Sequence, residues 1–345
     1  MGKKVLFIAP PYMGLYKDII EEMEKQGYDV TYIKEVVRPE DPDNVRGYKG
    51  LKKFFLVNRA RFTKKNDRYW ADILNTQAKD VYDILFVLNG QSLSPCIFKT
   101  LKERNPQIFC TNFMFDTTKG VYRFDMNFKY FDKVASFDLE DVQKHNLYLL
   151  PIFWIPQIKC KAEYVFFGMG AYKKDRYQFF SKVSQIAKNN HLKSYIRLYN
   201  PVKKRLWIKS VIRKIFGIQK DMISYEEYKS DIITNSLMPL SEFNLLMKKS
   251  SVVIDTNAPH QDGLTSRFMQ ALGNMQKIIT TNKSVKSYKF YSEEQIFVID
   301  DINDINEDQL IAFVQTNMTV PSEVSFEIGK TRIDNWVKYL LDIPL

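Results

Sequence analysis

SVVIDTNAPHQDGLTSRFMQALGNMQKIITTN, from Ser251 to Asn282, is the stretch that decides the fold. A β-branched run ends at Asp255, a polar loop containing proline and glycine follows, and apolar residues then recur at helical spacing. A second β-branched run closes the stretch. This order predicts one strand–helix–strand unit of a parallel sheet, with its helix beginning between Gly263 and Thr265.

The start of this helix is a candidate anion site. The first N–H groups of a helix lack backbone partners, and the positive end of the helix dipole lies at the same place. Thr265 adds a hydroxyl and Arg267 a permanent positive charge. The pattern therefore favours a bound phosphate. An ordinary strand–helix–strand connection, which also needs a turn and an N-cap, accounts for the same residues.

Strand and helix patterns continue on both sides of this stretch. Strands are predicted at 4–9, 30–36, 84–88, 108–115 and 133–137, and again at 164–167, 193–198, 252–255, 277–281 and 296–299. Helical patterns separate most of them, which is typical of a parallel sheet with helices on both sides. Between the two sets, LLPIFWIPQIKCK (149–161) is apolar, contains two prolines and has no clean period, so it suits a crossing between domains.

The predicted fold class is α/β, with two doubly wound Rossmann-like domains facing each other across a cleft. We expect residues 1–155 to form the first domain, 156–325 the second, and 326–345 a C-terminal helix that packs back toward the first. Open α/β sheets bind ligands at the carboxyl ends of their strands. The loops expected there are 10–14, 89–91, 116–118, 168–170, 255–265 and 282–284.

The charge of the chain favours anionic partners. Its 345 residues carry a formal charge of +11, which suits nucleotides, phospholipid headgroups or nucleic acid. Much of the excess lies at Lys49–Arg68 and Lys203–Lys214. The second segment combines an aliphatic stripe with a basic one, which predicts a basic amphipathic helix. Such a helix either covers a domain core with its charges in water or docks on an anionic membrane face.

The sequence also bears on location and redox state. No apolar run approaches the roughly 20 residues needed to cross a bilayer, and VLFIAP near the amino terminus is better explained as a strand than as a signal peptide. We therefore expect a cytoplasmic protein. Cys96, Cys110 and Cys160 have no metal-like spacing and are expected to be buried thiols.

Several common site motifs are missing from the sequence. It has no G-x-G-x-x-G after the first strand, no G-x-x-x-x-G-K-[ST] and no G-x-S-x-G, which disfavours a dinucleotide-binding domain, a P-loop ATPase and a serine hydrolase. The three histidines are far apart and lack neighbours at ligand spacing, so no metal is expected. Asp41-Pro42-Asp43 resembles a metal-binding acidic pair but lies in a polar loop and is interpreted as a turn.

Three segments resemble a known enzyme family. DGLTSRFMQALGNMQKIITTN (262–282) resembles the donor-site helix of two-domain (GT-B fold) glycosyltransferases, in particular the spore-maturation-like and the lipopolysaccharide or capsule glycosyltransferases of bacteria. SFDLEDVQKHNLYLLPIFW (136–154) resembles the end of that family's first domain, and EYVFFGMGAYKKDRYQFFSKV (163–183) the start of its second. The resemblance covers about residues 80–300. It implies a nucleotide-sugar donor in the second domain and an acceptor at the first.

The resemblance also implies roles for individual residues. In the family, the helix start binds the diphosphate, and the second carboxylate of a Glu-x7-Glu pattern binds the ribose. Asp262 and Gln270 stand at that spacing here, so the ribose contact would come from an uncharged amide. Arg267 would neutralise the leaving nucleoside diphosphate. The predicted donor-binding residues are Gly168, Gly170, Arg176, Asp255, Gln261, Asp262, Gly263, Leu264, Thr265, Arg267, Gln270 and Asn282.

Asp116 is the predicted catalytic base in the first domain. It ends an apolar strand at the expected cleft, and an inverting transfer needs a group that accepts the proton of the attacking hydroxyl. Asp138 and His145 are alternatives, and Asp116 could instead form only a turn or an N-cap. The predicted acceptor-side residues are Gly14, Asn89, Gly90 and Gln91.

The resulting hypothesis is a metal-independent glycosyltransferase. It would transfer a sugar from a nucleoside-diphosphate sugar to a glycan or lipid-linked acceptor in lipopolysaccharide or capsule biosynthesis, with no cofactor besides that co-substrate. The basic segments would hold it at the inner face of the membrane. The alternatives are an epimerase or phosphotransferase that uses a nucleotide sugar, and a non-enzymatic nucleic-acid-binding protein that uses the same basic segments.

Overall fold

The computed structural model describes residues 2–11, 14–35, 51, 64–119, 124–158, 160–201, 223–257 and 262–342. The chain divides into two compact units, 1–152 with 331–345, and 153–330. The sequence predicts boundaries after 155 and 325, a few residues from these. Four predicted features lie wholly or mostly outside the described residues: the basic segments 49–68 and 203–214, the turn at 41–43, and Gln261.

The first unit is built on a six-stranded parallel sheet. Its strands are β1 (Lys4–Ala9), β2 (Asp29–Lys34), β3 (Ile84–Leu88), β4 (Phe109–Met114), β5 (Lys133–Ser136) and β6 (Tyr148–Leu149), in the order β2-β1-β3-β4-β5-β6. Its helices are α1 (Leu15–Lys25), α2 (Lys64–Thr76), α3 (Pro95–Arg104) and α4 (Leu139–His145). The strand β3 is buried along its whole length, as a central strand covered on both faces must be.

The second unit repeats this architecture with a different strand order. Its strands are β7 (Tyr164–Ala171), β8 (Ser194–Tyr199), β9 (Ile233–Thr234), β10 (Ser250–Asp255), β11 (Lys277–Thr280) and β12 (Ile296–Val298), all parallel, in the order β12-β11-β10-β7-β8-β9. Its helices are α5 (Lys174–Asn189), α6 (Tyr225–Lys229), α7 (Leu240–Lys248), α8 (Ser266–Gly273), α9 (Glu307–Gln315) and α10 (Ser322–Lys330). The α/β prediction with two doubly wound parallel sheets is confirmed.

Each sheet has one point where the strand order reverses. In the first unit this switch lies between β1 and β3, and in the second between β7 and β10. Helices leave the sheet on opposite faces at such a point, so the carboxyl ends of the two strands leave room for a ligand. The two switch points are therefore where a site is to be sought.

A last helix, α11 (Ile333–Leu341), belongs to the first unit although it follows the second in the chain. Trp336 on this helix is fully buried and its indole N–H donates to the carbonyl of Pro151 at 3.1 Å. In the second unit, the indole N–H of Trp154 donates to the carbonyl of Ile328 at 3.0 Å. The chain passes between the units twice, after 152 and after 330. Within each unit, a tryptophan thus links the two segments that adjoin these crossings.

Two predictions from the sequence, on the glycines of β7 and on the cysteines, need correction. Gly168 and Gly170 lie inside β7, which extends to Ala171, and do not form a loop after it. Cys110 is buried as expected, but Cys160 is exposed and Cys96 is intermediate. In the described part of the chain, no helix combines the length and apolar character that crossing a membrane would require.

Candidate functional site

A buried ion pair lies at the switch point of the second unit. Asp255, the last residue of β10, is 1% exposed. One of its oxygens, Oδ1, accepts hydrogen bonds from Nε and Nη2 of Arg267, at 3.0 and 2.6 Å, and from the hydroxyl of Thr265 at 2.7 Å. The third nitrogen of the guanidinium, Nη1, donates to the carbonyl of Met169 on β7. Arg267 therefore ties the ends of the two switch-point strands together.

A second arginine stands beside this pair. Nε of Arg176 donates to the hydroxyl of Thr256 at 2.7 Å, and its Nη1 donates to the carbonyl of Ala171 at 2.8 Å. Among the residues that the structure describes, no carboxylate forms an ion pair with Arg176. Burial lowers the pKa of Arg176, and the neighbouring charge of Arg267 lowers it further. Two guanidinium groups thus lie near one buried carboxylate, that of Asp255, to which Arg267 donates directly. The charges of Asp255 and Asp175 also act on Arg176 and oppose the lowering of its pKa.

Two glycines in β7 make room for this arrangement. A Cβ atom on Gly170 would lie 2.9 Å from Nη1 of Arg176, so only glycine lets the guanidinium cover the strand. A Cβ atom on Gly168 would lie 3.1 Å from Phe180 and 3.2 Å from Ile254. The close approach that we predicted for a ligand at these glycines is made by the protein's own side chains.

The predicted helix start is confirmed in its position. Thr265 is the N-cap of α8, and its hydroxyl accepts the N–H of Phe268 at 3.1 Å. Its single proton is donated to Asp255, so it is not available to a phosphate, contrary to our expectation. Gly263 and Leu264, which precede the cap, are buried. The contribution of this segment to a ligand would come from backbone N–H groups.

Asn282 supports the loop before the helix. It is buried after β11, and its Oδ1 accepts the N–H of Ser284 at 3.0 Å, which caps the short 3-10 helix 283–287. Its Nδ2 donates to the carbonyl of Asp262 at 3.1 Å, and the hydroxyl of Ser284 donates to the same carbonyl at 2.6 Å. The backbone of Asp262 is therefore held in place by two hydrogen bonds, although the residue is exposed.

The side-chain amide of Gln270 binds the backbone of the protein itself. Its Oε1 accepts the N–H of Ile155 at 3.1 Å, and its Nε2 donates to the carbonyl of the same residue at 2.7 Å. This pairing fastens α8 to the segment that enters the second unit. Because both ends of the amide are used within the protein, the geometry gives no support to the predicted contact with a ribose.

The switch point of the first unit carries the predicted acceptor-side residues. Asn89 and Gly90 follow β3 with left-handed backbone angles, φ 61° and 83°. Gln91 is partly exposed in the same loop, and Gly14, with φ 78°, is the N-cap residue of α1. Nδ2 of Asn89 donates to Oδ2 of Asp116 at 2.9 Å, so the structure brings the predicted base and part of the acceptor-side set together.

Asp116 follows β4 and is exposed as a residue, but neighbouring protein atoms partly desolvate its carboxyl group. Desolvation raises the pKa of Asp116, and the hydrogen bond from Asn89 opposes this rise. A raised pKa brings a carboxylate nearer to the range useful for a general base.

The two alternative bases make different contacts. Asp138 is buried as the N-cap of α4, where it accepts the N–H of Asp141 at 3.2 Å. The ring of His145 lies edge-on to Phe128, with 5.5 Å between ring centroids. Neither has a hydrogen bond with Asp116 among the described residues.

Sequence reasoning missed Glu35. This buried residue follows β2, and its carboxylate accepts the N–H of Gly90 at 3.2 Å and the N–H and hydroxyl of Ser92 at 2.7 and 3.1 Å. The available signal was weak: one acid at a strand end, 55 residues from its first partner. Over the described ranges, no group of three or more His, Cys, Asp or Glu residues is placed to hold a metal ion; metal independence remains a prediction.

No protein-family model matches the sequence, and no curated protein matches it. Similar solved structures include UDP-GlcNAc 2-epimerase from Methanocaldococcus jannaschii, 10% identical, with a TM-score of 0.46 and 98% of both chains covered. They also include CalG4, the calicheamicin glycosyltransferase, 10% identical, with a TM-score of 0.46 and 97% of this chain and 94% of that chain covered. MurG of Acinetobacter baumannii is 9% identical, with a TM-score of 0.44 and 99% of this chain and 100% of that chain covered. Likenesses at this level carry no argument about function, and the fold class rests on the two sheets themselves.

Proposed function

We propose that the protein is a glycosyltransferase that moves a sugar from a nucleoside-diphosphate sugar to a glycan or lipid-linked acceptor. The observation that carries the proposal is a second guanidinium, that of Arg176, which donates to neutral oxygens beside the buried Arg267–Asp255 ion pair at a switch point. A diphosphate would supply the missing negative charge, at the place where open α/β sheets bind ligands.

The reaction would use the two arginines differently. Arg267 is held by Asp255, so it contributes a fixed positive field. The guanidinium of Arg176 donates to two neutral oxygens, those of Thr256 and Ala171, and is the one to contact the ligand. In the transfer, the acceptor oxygen bonds to the anomeric carbon and the bond from that carbon to the diphosphate oxygen breaks. The diphosphate leaves with the electron pair, and its growing charge is stabilised by the arginines.

The proton of the acceptor hydroxyl would go to Asp116 in the first unit. Its raised pKa and its hydrogen bond from Asn89 support this role. The cleft that would unite the two sites, the surface-polysaccharide pathway, the cytoplasmic location and the attachment to the inner membrane face remain parts of the proposal. They are supported by the resemblance of 262–282 and by the basic segments of the sequence.

Ligand binding by thermal shift and calorimetry tests the proposal. UDP, GDP and CDP and their sugars are screened, and one nucleotide is expected to raise the melting temperature because it binds only the folded state. Arg176→Gln should weaken that binding at least tenfold, whereas Arg332→Gln, at an exposed ion pair of the first unit, should not. Failure of every nucleotide to bind, or equal binding by the Arg176 variant, would overturn the proposal.

Product analysis separates the alternatives. Release of nucleoside diphosphate that depends on an added acceptor marks a transferase, and conversion of the nucleotide sugar to its epimer without that release marks an epimerase. Binding of nucleic acid that is unchanged in Arg176→Gln, with no nucleotide sugar bound, would favour the non-enzymatic alternative.

A further inference from the structure

The loop that follows β3 is held in place by Glu35. The buried carboxylate uses one oxygen, Oε2, for the N–H of Gly90 and the other, Oε1, for the N–H and hydroxyl of Ser92. The carbonyl of Ser92 in turn accepts from Nδ2 of Asn66 at 2.9 Å and from the indole of Trp70 at 3.0 Å. The backbone of this loop is therefore fixed from the protein interior on both sides of Gln91.

The same loop orients Asp116. Asn89 is the residue before Gly90, and its Nδ2 donates to Oδ2 of Asp116 while its Oδ1 accepts the N–H of Phe115 at 2.7 Å. The N–H of Asn89 donates to the carbonyl of Phe113 at 2.8 Å. Asn89 thus holds both the backbone before Asp116 and the carboxyl group itself.

The backbone at this point is left-handed at two successive residues, a conformation that the anchoring stabilises. A left-handed conformation at a residue other than glycine costs energy and persists only where the surroundings determine it. Asn89 has φ 61° and Gly90 has φ 83°, and the hydrogen bonds to Glu35 begin at the second of these residues. Without them, the turn that points Asn89 toward Asp116 keeps its bonds to Phe113 and Phe115 but loses its support on the side of Gly90 and Ser92.

We infer that Glu35 is a positioning residue for the carboxyl group of Asp116, and that it acts through the 89–92 loop and the side chain of Asn89. The catalytic meaning of this relation rests on the proposed function, in which Asp116 accepts the acceptor proton. The relation itself is structural and can be measured without the reaction.

The test compares Glu35→Gln, Asn89→Gly and the double variant. Glu35→Gln turns one of the two accepting oxygens into an NH2 group that faces a backbone N–H, which loosens the loop. Asn89→Gly keeps the left-handed backbone and removes only the side chain. Glu21→Gln, at an exposed pair with Lys25, is the control. The probe is the carboxyl carbon of Asp116, followed by NMR as a function of pH.

Both single variants should raise the pKa of Asp116, because each removes or weakens the hydrogen bond from Asn89 that opposes desolvation. No charged side chain in the described ranges adds to that shift. Loss of the negative charge of Glu35 would by itself lower the pKa of Asp116, so the sign separates positioning from a direct charge effect. The double variant should titrate like Asn89→Gly alone, since Glu35 acts through Asn89.

An unchanged or lowered pKa in Glu35→Gln, or additive shifts in the double variant, would overturn the inference even if stability falls. Under the proposed function, the acidic limb of the kcat profile should move upward with the pKa while KM changes little. If the NMR pKa moves but Asp116→Asn retains full transfer activity, the positioning relation stands and the role of Asp116 as base fails.

Discussion

Arg267 places two of its nitrogens on a single oxygen of Asp255, at 3.0 and 2.6 Å, in a site where the aspartate is 1% exposed and the arginine side chain 12%. A carboxylate this deeply buried depends on its partner, because removing the arginine leaves a charge without solvent and without its hydrogen-bonded counter-ion. The pair therefore supports the fold as well as any ligand.

Arg267→Ala should lower the free energy of unfolding by about 3–5 kcal/mol, the usual cost of leaving one member of a buried pair alone. Urea denaturation measures it. The double variant Arg267→Met with Asp255→Leu should recover most of the loss, since it removes both charges and keeps apolar volume. A single variant as stable as the parent protein would contradict this account of the pair.

Gly168 and Gly170 offer a matched pair of substitutions in one strand. Gly170→Ala displaces the guanidinium of Arg176 and should weaken nucleotide binding with little loss of stability, because the end of that side chain can move. Gly168→Ala presses on Phe180 and Ile254 in the core and should cost about 1–3 kcal/mol, with nucleotide binding retained. Calorimetric titration measures nucleotide binding and urea denaturation measures stability. Weaker binding by Gly168→Ala together with lower stability of Gly170→Ala would refute the roles given to the two glycines.

The contact between Gly273 and Trp154 leads to another prediction. A Cβ atom on Gly273 would lie 1.9 Å from the indole ring, which is itself held by the carbonyl of Ile328. Gly273→Ala should therefore destabilise the second unit by roughly 1–3 kcal/mol and change the fluorescence of Trp154. Gly329→Ala is the control: its Cβ meets nothing within 4 Å on a helix, so alanine should be neutral or stabilise by about 0.5–1 kcal/mol.

Glu227 should make part of the stability depend on acid pH. Burial opposes its ionisation, but hydrogen bonds from Lys174, from the N–H of Ser224 at 2.7 Å and from Tyr172 at 2.9 Å outweigh burial and lower the pKa of Glu227 below 4.5. A lowered pKa in the folded state means that this stabilisation is complete above pH 4.5 and disappears as the pH falls through the folded value.

Glu227→Gln should remove that acid-sensitive component, so stability between neutral pH and pH 3 should fall less steeply than in the parent protein. Urea denaturation across this range measures the slope. Glu226→Gln, at the exposed neighbour on α6, should keep the parent slope. Equal slopes in the parent and in Glu227→Gln would show that the hydrogen bonds at Glu227 contribute nothing to acid sensitivity.

The position of a residue relative to a strand or helix end was predictable, because it depends on local pattern. Asp255 ends its strand and Thr265 caps its helix as the alternation and the turn residues indicated. The parallel sheets followed from the regular exchange of strand and helix patterns. The glycines of β7 were misplaced, because glycine usually ends a strand and here it makes room for Arg176 and Phe180 inside one.

The partners of these residues were not predictable. Gln270 binds the backbone of Ile155, 115 residues away, and Glu35 binds a loop more than 50 residues away. Periodicity identifies the face and the end of an element, but a hydrogen bond also needs the packing of other elements against it. For this reason the start of the helix was located correctly relative to β10, while the engagement of Thr265 and Arg267 with Asp255 was not foreseen.

The order of the chain has a consequence for how the protein is made. Trp336 packs against Phe86 and Phe113, with ring centroids 6.2 and 4.8 Å apart, yet it is translated after all of residues 153–330. A ribosome extends the chain by about 5–20 residues per second, and units fold as they emerge. Residues 1–152 are thus synthesised, and residues 153–330 after them, while the core of the first unit still lacks the indole of Trp336. A nascent chain stalled before α11 would expose an aromatic surface, and chaperones would have their best opportunity to bind it during that interval.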